Sequence, residues 1–260
     1  MSSSEETPRP PILEFDPEPI AMIEPRALVT RHEAMPSRCV VCFFQDIIDE
    51  LLADGRLSEL LSEGSEMGRH PVYVMERAGQ RLAVFHPGVG APMAAALLEH
   101  AIARGGDRFV VCGGAGALVP ELHVATLVVP TGALREEGTS YHYLPPNAPA
   151  VPHPEALAAI RAALEARGLP YRAGLTWTTD AFYRETPAKV TRRREQGCLT
   201  VEMEASAFFA VAAFRGVRLG QLLYAGDDVS GEVWDARGWN SRRDVRRALF
   251  EVAVEACMRM

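Results

Sequence analysis

From residue 38 onward, short apolar runs alternate with stretches whose apolar positions recur every three to four residues. That alternation is the signature of strands separated by amphipathic helices. Residues 39–44 (CVVCFF) read as a buried strand and 45–53 as a helix. Strands at 71–75 and 81–86 flank the turn-like Arg77-Ala78-Gly79-Gln80. A helix is predicted over 91–104, with Pro92 where a first helical turn tolerates it. Strands rich in Val and Leu follow at 109–112 and 125–130, then an Ala/Leu helix at 154–167 that stops before Gly168. Strands at 171–178 and 199–201, a helix at 204–215, a strand at 217–225 and an amphipathic helix at 242–258 complete the pattern.

Apolar strands separated by helices imply a mostly parallel sheet covered on both faces. The expected fold class is α/β: a single three-layer domain with a mostly parallel, mixed central sheet flanked by helices, spanning 32–260. Residues 1–31 read as a poorly ordered or surface-draped arm. Its start, MSSSEETPRPPILEFDPEPI, is acidic and Pro-rich and lacks the apolar core of a secretory signal. No apolar run approaches the roughly 20 residues that span a bilayer, and a cytoplasmic location is expected. The net charge of -7 argues against general affinity for nucleic acid or anionic membrane. It leaves room for one phosphate group in a local basic pocket. Five cysteines form an odd set. Cys39-x-x-Cys42 invites a redox or zinc reading, but on a strand residues three apart face opposite sides, which favours buried free thiols.

Ligands of such sheets gather at the C-terminal ends of strands, and there the chain places small or acidic residues. Gly88-Val89-Gly90 follows the 81–86 strand, and Gly113-Gly114-Ala115-Gly116 follows 109–112 as a predicted turn. Glycine turns offer backbone N–H groups to an anion or a sugar, though each also reads as plain turn chemistry. Glu202-Met203-Glu204 falls at a strand-to-helix junction. A carboxylate there could accept hydrogen bonds from both hydroxyls of a ribose diol while the thioether packs on the sugar. The competing reading is that acidic residues favour a helix N-terminus. Asp227 and Asp228 follow the 217–225 strand. Either could protonate a departing nucleobase, and a cap on the following loop is the competing reading for Asp228. Phe182 and Tyr183 could stack on a base or belong to the core.

Together these segments resemble the nucleoside phosphorylase superfamily, which includes uridine phosphorylase, hexameric bacterial purine nucleoside phosphorylase and methylthioadenosine nucleosidase. The similarity runs from about residue 71 to the C-terminus. VEMEASAFF (201–209) resembles the family's ribose motif, TTDAFYRET (178–186) its base-pocket segment, and LREEGTSYHYLPPNAPAV (134–151) a uridine phosphorylase stretch. The resemblance implies that Glu204 holds the ribose 2′- and 3′-hydroxyls, with Glu202 and Met203 completing the sugar pocket. It implies Phe182 or Tyr183 beside the base and Asp227 as the catalytic acid of the purine enzymes. Uridine phosphorylases lack that aspartate and read uracil with a Gln and an Arg, where this chain has Thr186 and Ala188. A purine-type base is therefore expected.

The family's phosphate site matches poorly. Its Gly-Asp-Pro turn is replaced by Phe43-Phe44-Gln45, and its phosphate-binding Arg and Ser/Thr fall on Val111 and Gly114, beside Gly113. Arg69 is the one plausible counterpart, supplied in the family by a neighbouring subunit, unless Arg135 rebuilds the site. A buried dianion without cations is costly, and the nucleosidases of the family use water. The expected activity is N-glycosidic cleavage by hydrolysis or phosphorolysis, with hydrolysis favoured. No metal or organic cofactor is implied, and inorganic phosphate enters only as a co-substrate. The partners implied are a nucleoside and further copies of the chain, as a dimer or hexamer. A silent nucleoside-binding or regulatory protein and a nucleotide N-glycosidase are the alternatives. The segment 226–244 (GDDVSGEVWDARGWNSRRD) has no counterpart, and its Trp234 and Trp239 read equally as a lid or as surface packing. His142 could lie near the sugar or an interface, and His86 could only pack.

Overall fold

The computed structural model describes residues 10–260, so the first nine residues of the expected arm lie outside the described residues. A 3-10 turn (Pro11–Leu13) and a single α-helical turn, α1 (Pro25–Leu28), precede β1 (Arg38–Cys42), α2 (Gln45–Ala53), β2 (Ser58–Ser65), β3 (Gly68–Arg77) and β4 (Gln80–Phe85). Next come α3 (Ala91–Arg104), β5 (Arg108–Ala117), β6 (Leu127–Glu136), α4 (Pro154–Ala166) and β7 (Tyr171–Thr179). The last part holds α5 (Pro187–Glu195), β8 (Cys198–Glu202), α6 (Ala205–Arg215), β9 (Arg218–Asp228) and α7 (Arg243–Arg259). Among the described residues, no helix is long and apolar enough to cross a membrane.

The nine strands form one mixed sheet, ordered β2-β3-β4-β1-β5-β8-β7-β6-β9, and β9 returns to pair with β5. Strands β4, β1, β5 and β9 run parallel. The sheet therefore closes on itself through β5, β8, β7, β6 and β9. Register sorts the apolar side chains into two layers, because alternate strand residues face opposite sides. Val40 stands between Val84 and Val110, and that face packs on Ile47, Ile160 and Phe250 of α2, α4 and α7. Cys39 stands between Ala83 and Phe109, and its face packs on Leu98 and Phe208 of α3 and α6. The result is the three-layer α/β domain expected from the pattern. Cys39 and Cys42 point into opposite layers, and all five cysteines are free and buried.

Four local readings need correction. The Gly113-Gly114-Ala115-Gly116 segment is no turn: β5 continues through Ala117, and none of its glycines has positive φ. The glycines make room for close neighbours instead. A Cβ on Gly113 would lie 3.1 Å from the Phe43 ring on one face, and one on Gly114 3.2 Å from the Tyr224 ring on the other. Likewise β9 runs on through Asp228, so Asp227 is a strand residue. β2 went unpredicted because it is an edge strand with a largely polar sequence (SELLSEGS). α5 went unpredicted because PAKVTRRRE buries only Val190. By contrast, Gly88 (φ +77°) and Gly90 (φ +90°) do make the sharp turn into α3.

Candidate active site

The strand ends converge on Gly116. It pairs with Val201 of β8, and a Cβ there would lie 3.0 Å from Val201 Cγ1 and 3.5 Å from Asp227 Oδ1. The tight neighbour is Val201, while the Asp227 carboxylate lies at ordinary contact distance on the same side. The Glu202-Met203-Glu204 junction and Asp227 thus reach one region from strands that are distant in sequence.

The two glutamates of the junction take different roles. Glu202 Oε2 accepts from the N–H groups of Glu204 (2.8 Å) and Ala205 (2.6 Å), while Oε1 accepts from Thr178 Oγ1 (2.7 Å). It satisfies the unpaired N–H groups that open α6 and ties that end to β7. Glu204 is buried and turns the other way: Oε1 accepts from the Gly90 N–H at 2.6 Å, at the N-cap of α3. The helix-terminus and diol readings therefore divide between two residues, with the carboxylate of Glu204 the less committed. Met203 is half-buried between them.

Burial, and then the adjacent Glu202, push the Glu204 carboxyl up to about 8. Burial pushes Glu202 up to about 7. A carboxyl that holds its proton more tightly folded than unfolded contributes stability below its unfolded pKa and loses it as pH rises through the folded one. The thermal midpoint of the ligand-free protein is therefore expected to fall between about pH 5 and pH 8. Glu204→Gln should flatten part of that fall in paired melts. An equally steep profile in the variant would contradict the assignment.

Asp227 is half-buried, and its Oδ2 accepts from Trp234 Nε1 at 2.7 Å. Its other neighbour is a residue that sequence reasoning passed over. Burial, and then the nearby Asp227, push the Glu185 carboxyl up to about 7. Glu185 lies within the TTDAFYRET segment, one place before the Thr186 singled out there. Thr186 itself is half-buried and starts α5 as its N-cap. Phe182 and Tyr183 are not core residues: they form an exposed turn after β7, with ring centroids 4.1 Å apart. Asp228 is the cap of its loop, accepting from the Ser230 N–H at 2.8 Å and pairing with Arg237.

The corner onto which the family's phosphate site falls is aromatic. Phe43 packs edge-on against His86 (5.8 Å between centroids) and against Phe208 (6.3 Å), directly over Gly113. His86 Nδ1 accepts from the Gly88 N–H at 3.0 Å, and burial lowers the His86 pKa, which favours the neutral ring. Arg135 is not free to serve this corner. Its guanidinium donates to Ser140 Oγ (2.8 Å) and to the carbonyls of Leu144 (3.0 Å), Pro145 (2.7 Å) and Ala148 (2.9 Å), which secures the loop after β6. Arg69 lies on the exposed β2–β3 hairpin, paired with Glu59. Two clefts of about 390 Å³ lie elsewhere, one beside Leu169 and Val245, the other beside Arg56 and Met75, and neither is lined by Glu204 or Asp227.

Comparisons with known proteins agree with this architecture. A sequence profile described as the phosphorylase superfamily matches residues 37–255. A guanosine phosphorylase of Halorubrum lacusprofundi is 32% identical over 203 residues, covering 75% of this chain and 84% of the relative. A uridine phosphorylase of Thermococcus kodakarensis is 30% identical over 181 residues, covering 64% of this chain and 65% of the relative. Among solved structures, a purine nucleoside phosphorylase of Toxoplasma gondii in complex with immucillin-H superposes with a TM-score of 0.77 at 20% identity. That superposition covers 89% of this chain and 96% of the other.

Proposed function

The chain belongs to the phosphorylase superfamily and is an enzyme of the nucleoside phosphorylase/nucleosidase kind, and from that premise we propose that it releases a purine-type base from a nucleoside, with water as the favoured nucleophile. The observation that carries this reading is that Val201, which leads into the Glu202-Met203-Glu204 junction, and Asp227 both lie against Gly116, while Glu204 turns to the Gly90 N–H. Glu204 would accept hydrogen bonds from the 2′- and 3′-hydroxyls of the ribose. Two such donors favour its ionised form, so sugar binding draws the carboxyl toward the charged state that burial resists. Asp227 would give its proton to N7 as the C1′–N9 bond breaks, so the base departs neutral. The exposed rings of Phe182 and Tyr183 offer a face to the base, with Glu185 and Thr186 near its edge.

The choice of water rests on the aromatic corner. A phosphate dianion there would face Phe43, Phe208 and a neutral His86, and desolvating it without a cation is costly. Phosphorolysis remains the second reading, favoured by the similarity to phosphorylases, and it would need Arg69 from a neighbouring copy in a homo-oligomer. Product analysis on purine and pyrimidine nucleosides, with and without inorganic phosphate, separates the two. Free base plus free ribose at a rate indifferent to phosphate is expected. Ribose 1-phosphate formed only when phosphate is present would overturn the hydrolytic reading and restore phosphate as co-substrate.

A further inference from the structure

The segment after β9 is held firmly at its two ends and loosely at its tip. At the base, Asp228 and Asp235 exchange backbone hydrogen bonds of 2.8 and 3.0 Å. Arg237 pairs with Asp228 and donates to the Leu122 carbonyl at 2.7 Å. Further on, Tyr224 Oη donates to the Trp239 carbonyl at 2.9 Å, and Trp239 packs over Gly226. Between these anchors, residues 231–234 stand exposed, and Trp234 keeps 60% of its surface open to solvent. An indole so exposed gains little from burial. What orients it is the 2.7 Å hydrogen bond from Nε1 to Asp227 Oδ2.

We propose that Trp234 is a positioning residue for the acid: its indole N–H holds Oδ2 of Asp227, so that Oδ1 is the oxygen presented to the departing base. The inference rests on the role given above to Asp227. An indole nitrogen donates and never accepts. While the contact stands, Oδ2 must be the acceptor oxygen, and a proton on the carboxyl belongs on Oδ1. In the step, the Oδ1 proton passes to N7 of the purine and the C1′–N9 electron pair leaves with the base. Water adds to the sugar cation and releases its proton to solvent, leaving Asp227 ionised. The two tryptophans of this segment therefore divide the earlier alternatives, with Trp239 packing on the protein and Trp234 reaching over the site.

Paired nucleosides test the idea. Guanosine needs its leaving base protonated, whereas 7-methylguanosine already carries positive charge there. Trp234→Phe keeps the ring and removes the donor. It should lower kcat on guanosine about tenfold, the scale of one lost hydrogen bond to a charged partner, with little change in KM. On 7-methylguanosine it should match the unaltered enzyme, and Trp234→His, which restores a ring N–H, should recover part of the guanosine rate. Equal slowing on both nucleosides would mark a merely structural role and overturn the proposal, as would an unchanged guanosine rate. Asp227→Asn run in parallel separates the layers. If it is slow on guanosine while Trp234→Phe is not, the positioning role alone fails. If Asp227→Asn is itself unimpaired, or the unaltered protein leaves guanosine untouched, the reading beneath it fails.

Discussion

Asp227→Asn is expected to lower the turnover of a purine nucleoside by about 10²–10⁴-fold, the range over which a positioned general acid accelerates such steps. The substitution is close to isosteric. An Asn side-chain oxygen still accepts from Trp234 Nε1, and the space over Gly116 stays filled as before. Loss of fold is therefore not the expected cause, and circular dichroism should superpose on that of the unaltered protein. What disappears is the transferable proton, so the base must leave as an anion. The affinity for the nucleoside should change far less than kcat, because an amide retains hydrogen-bonding capacity toward the base edge. Steady-state rates on guanosine measure both quantities. Turnover within threefold of the unaltered enzyme would remove Asp227 from the mechanism.

Glu204→Ala should reduce kcat/KM by roughly 10²–10⁴-fold. Two hydrogen bonds from ribose hydroxyls to a carboxylate are each worth about 1.5–3 kcal/mol, and each 1.36 kcal/mol is tenfold in rate. The variant also leaves the Gly90 N–H without its acceptor at the start of α3, so a lower thermal midpoint is expected with it. The diagnostic is the sugar. The unaltered enzyme should prefer a ribonucleoside to its 2′-deoxy analogue, and Glu204→Ala should lose most of that preference even where some activity survives. A variant that still discriminates between the two sugars would place the diol grip elsewhere. The effect also distinguishes Glu204 from Glu202, whose oxygens are engaged by Thr178, the Glu204 N–H and the Ala205 N–H. Removing Glu202 takes a cap from α6 before it touches any ligand.

Much of this molecule was legible in its residues. The helices α2 and α3 fall within the predicted bounds because their apolar positions keep helical period, and α3 carries Pro92 in its first turn and Gly105 at its end. The buried strands β1, β4 and β8 read as short Val- and Leu-rich runs. Where the pattern failed, the partner was remote. β5 was cut short at Cys112 because four small residues look like a turn, yet they lie inside a continuing strand with the rings of Phe43 and Tyr224 packed close against its glycines. β2 and α5 lack a clear apolar stripe, since an edge strand and a surface helix have little to bury.

The same division runs through the site. The order of types along the chain, with Glu202-Met203-Glu204 after one strand and Asp227 near the end of another, was enough to place the chain in its superfamily and to nominate both carboxylates. It did not distinguish a capping glutamate from one open to a ligand. That distinction depends on Gly90, which stands 114 positions from Glu204 and meets it only when α3 and α6 pack on one face of the sheet. Nor could the sequence show that Arg135 is consumed by its own loop, that Glu185 stands beside Asp227, or that Trp234 reaches back to the same carboxylate. Periodicity and capping are local, so each residue's neighbours along the chain carry them. The partners of a buried charge are chosen by packing and strand register, and only the folded chain brings those groups within hydrogen-bonding distance.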